Sequence, residues 1–248
     1  MGRGVKIVAC SDIHGRPLVP LVNEVLHYKP DVFVIAGDLQ GGGYSFGGYD
    51  YFCHELVPAV RRLHAEGIET VLVPGNHDFW LADAIEKDVA QEGLHFLVDK
   101  EEEICGYRFY GTPWCPYING RWVYEVQEEE LAQHFKKIPA GLDVLVTHSP
   151  PLGEGKENFD VSMQYDPRYR QHFGSSNLRQ AIIDKMPHLV ICGHIHSGDH
   201  KLHQFNSTTA IANVSLLDER YNRAYGMARM TVMPGRKLRF TPGRKLYG

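Results

Sequence analysis

Five short apolar segments, each followed by a turn that carries Asp, Asn or His, constrain the fold of this chain more than any other feature. The segments are Val5–Cys10, Val32–Ala36, Thr70–Pro74, Val144–Thr147 and Leu189–Cys192. A continuous apolar run such as Val32–Ala36 is typical of a strand buried on both faces of a parallel sheet. Because the carboxyl ends of such strands meet at one edge, we expect the polar turns to converge there.

Helical patterns separate the first of these strands. The spacing of apolar residues predicts helices from about Pro17 to Tyr28, from Tyr49 to Glu66 with a kink at Pro58, and from Trp80 to Glu92. The alternation of strand and helix favours a largely parallel sheet with helices outside it.

The middle and the end of the chain show a different pattern. Short, closely spaced strands predict antiparallel pairing in the middle; they are Phe96–Val98, Glu103–Cys105 and Tyr107–Tyr110. Helices are predicted over Glu128–Lys137 and, with Ser176 as the cap, up to Met186. Late strands are expected to complete a second sheet; they are Thr209–Val214, Met227–Met233 and Leu238–Phe240. No linker or internal repeat interrupts the chain, so we expect an α/β fold that forms a single domain over residues 1–248.

Composition excludes several classes of partner. The 248 residues carry a net charge of −4 with His neutral, so we expect no surface for long nucleic acid. No apolar run approaches the roughly 20 residues that span a bilayer, so we expect no membrane partner. The five cysteines include no CxxC pair, which favours reduced thiols and a cytoplasmic location. The first strand begins almost at once, so we expect no signal peptide.

Eight residues in the turns after the strands form the candidate site. They are Asp12, His14, Asp38, Asn76, His77, His148, His194 and His196. The set offers carboxylate, amide and imidazole groups but no thiolate. It therefore suits Mn²⁺, Fe, Co²⁺ or Zn²⁺ in a reactive site rather than a structural zinc–thiolate site.

At these residues the chain resembles the calcineurin-like metallophosphoesterase superfamily. The family pattern D-x-H, GD, GNH-[DE], H and GHxH occurs here in order, over about residues 5 to 200. The blocks are Asp12-Ile13-His14, Gly37-Asp38, Gly75-Asn76-His77-Asp78, Thr147-His148 and Gly193-His194-Ile195-His196. Softer motifs are similar to the MPPED-type phosphodiesterases; they are Gly111–Trp114, His148–Pro151 and Asn213–Glu219.

The resemblance implies a four-layer αββα sandwich with two mixed β-sheets and a site for two divalent metal ions, Mn²⁺ before Fe, Co²⁺ or Zn²⁺. It implies that Asp12, His14 and His196 bind the first ion. It implies that Asn76, His148 and His194 bind the second, that Asp38 bridges them, and that His77 donates a proton to the leaving group. In such a site a hydroxide that bridges the metals attacks phosphorus. Two divalent ions, two carboxylates and one hydroxide leave a net charge of about +1, which attracts a phosphoryl group.

The same motifs distinguish between activities. Gly41 stands where protein serine/threonine phosphatases have an aspartate and where purple acid phosphatases have a tyrosine. With these two phosphatase classes excluded, we expect a phosphodiesterase that acts on cyclic nucleotides or small nucleotide diesters. A homodimer is a possible assembly. The alternatives are a phosphomonoesterase, a nuclease on short single-stranded nucleic acid, and a non-catalytic scaffold with this fold.

Some residues stay open at this point. Trp114 and Tyr117 either line the substrate pocket or pack in the interior. Arg168 and Arg170 either meet a substrate phosphate or lie in a solvated loop, and a loop is favoured because loops carry charge by default. His27, His64 and His134 are expected to be ordinary surface residues.

Overall fold

Two six-stranded sheets form the centre of the protein in a computed structural model that describes residues 3–41, 48–79, 91–162, 171–235, 237–243 and 245. The strands are β1 (Val5–Cys10), β2 (Val32–Ala36), β3 (Glu69–Val73), β4 (Leu94–Phe96), β5 (Lys100–Ile104), β6 (Tyr107–Thr112), β7 (Cys115–Pro116), β8 (Glu125–Val126), β9 (Val144–Thr147), β10 (Val161–Ser162), β11 (Gln171–His172), β12 (Leu189–Cys192), β13 (Leu202–Gln204), β14 (Ala210–Asn213), β15 (Ala228–Met233) and β16 (Lys237–Thr241). The helices are α1 (Val19–Tyr28), α2 (Gly48–Tyr51), α3 (Val57–His64), α4 (Glu128–Lys136) and α5 (Ser176–Lys185), with a π-helical turn, Phe52–Leu56, between α2 and α3.

Both sheets are mixed. The first has the strand order β16-β15-β1-β2-β3-β4, in which β1 to β4 run parallel, β15 is antiparallel to β1, and β16 is antiparallel to β15. The second has the order β13-β14-β12-β9-β6-β5, with antiparallel strands only at its two edges. The remaining short strands form the pairs β7–β8 and β10–β11.

Alternate residues of the central strands pack into different hydrophobic cores. In β2, Val34 lies in the core between the two sheets, whereas Phe33 and Ile35 pack against α1 and α3. The outer face of the second sheet packs against α4 and α5. Burial on both faces explains why β2 is apolar along its whole length. The expected four-layer αββα arrangement is confirmed.

The partners of three strands differ from the expectation. The segment at β4 is parallel to β3, not antiparallel, because the connection over residues 74–93 is long enough for a crossover. Strands β15 and β16 complete the first sheet rather than the second, because β15 pairs with β1. The pairing of β5 with β6 is antiparallel, as expected.

Two helices show local corrections. Helix α5 is capped by Ser175, whose side chain accepts the N–H of Leu178, rather than by Ser176. The kink expected at Pro58 is a π turn just before it, in which the N–H of Val57 bonds to the carbonyl of Phe52. Proline has no N–H to donate, and its ring excludes the carbonyl four residues earlier, so the helix widens at this point.

One predicted helix lies in a part of the chain that the structure does not describe. Almost all of the predicted helix Trp80–Glu92 lies outside the described residues. In the part of the chain that is described, no helix has the length and apolar character needed to cross a membrane.

The core between the sheets predicts a large cost for truncating Phe109. This residue of β6 is fully buried there, so Phe109→Ala should lower the free energy of unfolding by about 3–5 kcal/mol. Urea unfolding followed by circular dichroism measures the change. Ile183→Ala on α5, where the side chain is 45% exposed, is the control and should change stability by about 0.5 kcal/mol or less. Equal losses in the two variants would contradict this packing.

Candidate metal centre

The turns after β1 and β2 hold each other in place. The N–H of Asp12 bonds to the carbonyl of Gly37 at 3.0 Å, and the N–H groups of Ile13 and His14 bond to the carbonyl of Asp38 at 2.8 and 3.0 Å. Asp12, His14 and Asp38 have positive φ values of 59°, 51° and 52°. This left-handed conformation costs roughly 1–3 kcal/mol per residue, and it persists because the hydrogen bonds between the turns fix it.

The two sheets join beside these turns. The N–H of Ser11, after β1, bonds to the carbonyl of Val214 at 3.1 Å, and the N–H of Leu216 returns to the carbonyl of Ser11 at 3.0 Å. Val214 in turn donates to Cys192 at the end of β12 at 2.8 Å. The carboxyl ends of strands from both sheets are therefore brought to one rim.

One oxygen of the buried Asp12 carboxylate accepts hydrogen bonds from two hydroxyl groups. Ser11 and Ser215 each donate to Oδ2 at 2.6 Å, and the N–H of His194 contacts both oxygens at 3.0 and 3.2 Å. The other oxygen, Oδ1, lies 3.4 Å from Nε2 of His196. Asp12 is thus oriented with Oδ1 toward the imidazoles of the rim.

The two oxygens of Asp38 face different imidazoles. Oδ1 lies 3.4 Å from Nε2 of His148 and accepts the N–H of His77 at 2.9 Å. Oδ2 lies 3.6 Å from Nε2 of His14 and 3.9 Å from Nε2 of His77. A carboxylate placed in this way can contribute one oxygen to each of two adjacent cations.

Hydrogen bonds fix the tautomers of two imidazoles. Nδ1 of His148 donates to the carbonyl of Ala36 at 3.0 Å, and Nδ1 of His196 donates to the carbonyl of Asp218 at 3.0 Å. In each neutral ring the lone pair of Nε2 then points into the site, as in many metal-binding histidines. Nε2 of His148 lies 2.9 Å from Oδ1 of Asn76, which is also an acceptor. A shared cation, or a proton on Nε2, satisfies both atoms.

The electrostatics of the site favour positive charge. Burial lowers the pKa of His148 and His196, but the carboxylates of Asp38 and Asp12 outweigh it and raise each pKa to about 9. Burial alone would raise the pKa of both carboxyl groups, yet the neighbouring imidazoles hold them below their usual range. Burial lowers the pKa of His14 to about 4. Bound divalent cations would supply the charge that balances the two carboxylates.

All eight residues predicted from the sequence lie at this rim. Three groups have ligand atoms that all lie within 4.8 Å of one another: Asp12, His14 and His196; Asp38, His148 and His194; and His14, Asp38 and His77. Asn76 adjoins the second group through its contact with His148. His194 and His196, although only two positions apart, belong to different groups. The oxygen and nitrogen donors at these positions fit divalent transition-metal ions.

A cavity of about 500 Å³ opens in front of these groups. Its walls outside the metal centre are mainly aromatic and apolar, with contributions from Tyr117, Ile118, Trp122, Phe173 and Tyr221. None of the described residues that line it is Lys or Arg. The described cavity wall therefore offers no Lys or Arg to balance the buried carboxylates, and that role falls to the imidazoles or to bound cations.

Trp122 orients His77 in this cavity. The two rings stack with centroids 4.2 Å apart, and Nδ1 of His77 is buried without a hydrogen-bond partner among the residues that the structure describes. The loop that carries Trp122 is organised by Glu125, whose carboxylate accepts the N–H groups of Ile118, Asn119 and Trp122 at 2.6, 3.0 and 2.8 Å. The sequence shows that this loop is aromatic, but it contains no signal for the role of Glu125.

Asp78 has a structural role that the sequence analysis missed. Its buried carboxylate accepts the N–H groups of Leu39, Gln40 and Gly75 at 3.3, 2.8 and 2.7 Å, which ties the turn after β2 to the turn after β3. Burial, and then the charge of Asp38, raises its pKa to about 7, while the backbone hydrogen bonds oppose that rise.

The structure assigns different positions to Trp114 and Tyr117, which the sequence placed either in the pocket or in the interior. Tyr117 lines the cavity, whereas Trp114 stacks on His134 with centroids 3.6 Å apart and donates its indole N–H to Asp99 at 3.0 Å. His134 also bonds to Asp99, at 2.8 Å, and its side chain is only 14% exposed, so it is largely buried rather than the ordinary surface residue that was expected. Arg168 and Arg170 lie outside the described residues.

Two glycines of the motifs, Gly75 and Gly193, allow neighbouring side chains to pack directly against the backbone, and neither is needed for an unusual turn. A Cβ on Gly75 would lie 2.3 Å from Oδ1 of Asp38, and a Cβ on Gly193 would lie 1.8 Å from Oγ of Ser11. Neither glycine has a positive φ. These positions therefore exclude larger residues because the carboxylates and their partners occupy the space.

Comparison with known proteins gives a family match over most of the chain. A sequence model of calcineurin-like phosphoesterases matches residues 5–198. A UPF0046 protein of Caenorhabditis elegans is 27% identical over 240 residues, and the match covers 89% of this chain and 78% of that protein. Human metallophosphoesterase domain-containing protein 1 is 31% identical over 128 residues. That match covers 51% of this chain and 36% of the human protein, so it spans about a third of the relative's length.

A solved structure supports the architecture. A dimetal phosphatase from Danio rerio superposes with a TM-score of 0.54 and 12% identity, over 98% of this chain and 100% of that chain. At this identity the similarity shows the fold alone.

Crowding at Gly193 predicts loss of metal affinity in Gly193→Ala. The added methyl group would displace Ser11 and the carboxylate of Asp12, so the affinity for Mn²⁺ should fall about 10- to 100-fold. Titration with Mn²⁺ followed by electron paramagnetic resonance measures it. Gly41→Ala is the control, because its Cβ would meet nothing closer than 3.5 Å. Unchanged affinity in Gly193→Ala would contradict the close packing around Asp12.

Proposed function

Because the chain belongs to the calcineurin-like phosphoesterase family, it is a metal-dependent phosphoesterase, and we propose that it hydrolyses phosphate diesters with two divalent cations. The observation that carries the proposal is the placement of Asp38, with one oxygen toward His148 and the other toward His14. Such a carboxylate suits a pair of ions better than a single one.

The proposed ligands follow the groups at the rim. Asp12, His14 and His196 hold one cation, Asn76, His148 and His194 hold the other, and Asp38 contacts both. When bound, the two cations supply charge that attracts the phosphoryl group and lowers the pKa of water near it. Mn²⁺ is the first choice, and Fe, Co²⁺ and Zn²⁺ suit the same donors. The name of the zebrafish neighbour, a dimetal phosphatase, agrees with two ions.

His77 is proposed as the proton donor to the departing oxygen. It lines the cavity, its side chain is 13% exposed, and no hydrogen bond fixes its Nδ1 as the carbonyls do for His148 and His196. Burial lowers the pKa of His77, and the charge of Asp38 opposes that shift. An anionic substrate beside the ring would raise the protonated fraction further.

The cavity wall favours diesters over monoesters. A monoester carries a second negative charge on its phosphate, but among the described lining residues there is no Lys or Arg to balance it. The apolar and aromatic walls instead suit a singly charged phosphate with an organic group on each side, such as a cyclic nucleotide or a small nucleotide diester. Faster turnover of nitrophenyl phosphate than of its bis-nitrophenyl diester would favour the monoesterase alternative.

We also propose that the protein works in the cytoplasm. All five cysteines are free, which fits a reducing compartment.

Replacing the shared carboxylate should affect both cations. Asp38→Asn removes the anion between them, so the metal content should fall from two ions per chain and the rate on bis-nitrophenyl phosphate should fall about 1,000-fold. Elemental analysis and steady-state kinetics measure the two quantities. Asp184→Asn, on the exposed surface of α5, is the charge-matched control and should change neither. Two retained ions and an undiminished rate in Asp38→Asn would refute the shared-ligand role.

The role of His77 is tested by varying the leaving group. His77→Ala should slow alkyl or nucleoside diesters about 100- to 10,000-fold but nitrophenyl diesters much less, because nitrophenolate leaves without a proton. Rates with the two substrate types, measured at one metal concentration, give the comparison. His27→Ala at the exposed end of α1 is the control. Equal losses on both substrates would mean that His77 acts in another way.

A further inference from the structure

The net charge of the chain conceals a strong segregation of charge. Residues 220–248 contain eight Arg and Lys residues and no Asp or Glu, although the whole chain is at −4. Part of this basic segment forms β15 and the edge strand β16 of the first sheet. Such an asymmetry indicates an anionic partner for this part of the molecule.

The pairing of β1, β15 and β16 places the basic side chains on one face. Met230 and Val232 of β15 lie in the core between the sheets, so Arg229 and Thr231 between them point to the opposite, outer face. Two rows cross the three strands on that outer face: Lys6, Thr231 and Arg239 in one, and Val8, Arg229 and Thr241 in the next.

This face forms a shallow groove that is open to solvent. The cavity measures about 330 Å³ and lies beside the end of α1. Its polar walls are Lys6, Tyr28, Arg229, Thr231, Arg239 and Thr241. Arg229 stacks on the ring of Tyr28, 4.6 Å from its centroid, which orients the guanidinium group. A concave site of this size is at the lower end of the range of about 300–1,000 Å³ that small ligands occupy.

The positive charge in the groove is not neutralised by nearby acids. Within the described part of the chain, the side chains of Lys6, Arg229 and Arg239 form no ion pair. The two neighbouring carboxylates with contacts in this region are already paired, Asp31 with Arg3 and Glu24 with Arg223. Three cations and two threonine hydroxyls therefore remain to donate hydrogen bonds to a ligand.

We propose that this groove binds a small ligand that carries at least two phosphate groups, such as a nucleoside diphosphate or a pyrophosphate-like anion. Arginine guanidinium groups form paired hydrogen bonds with phosphate oxygens, and Lys6 and Arg239 stand on either side of Thr231, about 10 Å apart across three strands. Three cations carry more positive charge than one phosphate group, at about −1.5 to −2, can balance, so a ligand with two phosphate groups matches them better. Among the described residues, none lines both this groove and the catalytic cavity, so the ligand occupies a second site.

The experiment measures binding of methylenediphosphonate, which resists hydrolysis, to the full-length protein by isothermal titration calorimetry. The double variant Arg229→Gln/Arg239→Gln should bind it at least tenfold more weakly, because charge-assisted hydrogen bonds to the phosphonate groups are lost. Its rate of diester hydrolysis should not change, because neither arginine belongs to the metal centre. Binding should weaken as salt is raised. Arg62→Gln, an exposed residue of α3, is the charge-matched control and should bind as the unaltered protein does.

Asp38→Asn separates this proposal from the proposed function. It should lose diester hydrolysis but keep methylenediphosphonate binding. Loss of binding in Asp38→Asn with retention in the double variant would place the anion at the metal centre and overturn the proposal. No binding at low salt, or an equal loss in Arg62→Gln, would also overturn it. If the double variant does not fold, Arg239→Gln alone replaces it, because Arg239 is an exposed residue of the edge strand β16. Tighter, length-dependent binding of a single-stranded oligonucleotide to the groove would overturn the small-ligand class.

Discussion

Two carboxylates, Asp12 and Asp38, lie almost fully buried at one rim of the molecule, and the described walls of the adjoining cavity contain no Lys or Arg. Buried charge without compensation is strongly unfavourable. Imidazoles, hydroxyl groups and backbone amides surround the two carboxylates. The left-handed turns after β1 and β2 and the crowded glycines hold these groups in position. The arrangement stabilises negative charge in a way that suits bound cations.

The rim depends on the packing of the two sheets. Asp12, Asp38 and Asn76 follow strands of the first sheet, whereas His148 and His196 follow strands of the second. Neither sheet alone contains a complete set of donors for two cations. The hydrogen bonds of Ser11 with Val214 and Leu216 join the sheets next to the site, so the core between them also sets the spacing of the candidate ligands.

Local sequence patterns predicted most elements, and non-local pairing explains most errors. Strands β1, β2, β9 and β12 have the bounds that their apolar runs predict, because burial on both faces leaves a distinct pattern. The partner of β15 is more than 200 residues away in β1, and an alternating strand does not specify which sheet it joins. In the same way Ser215, Glu125 and Tyr221 reach the site from segments without a metal-binding pattern.

The sequence by itself determined the layered α/β architecture, the eight residues of the candidate metal centre and the order of their motifs, because periodicity and turn residues are encoded locally. Only the tertiary structure decided which oxygen of Asp38 faces which imidazole, that Trp122 rather than Trp114 borders the cavity, and that a basic groove crosses β1, β15 and β16. These features depend on contacts between residues far apart in the chain. Such contacts form only when both sheets pack together.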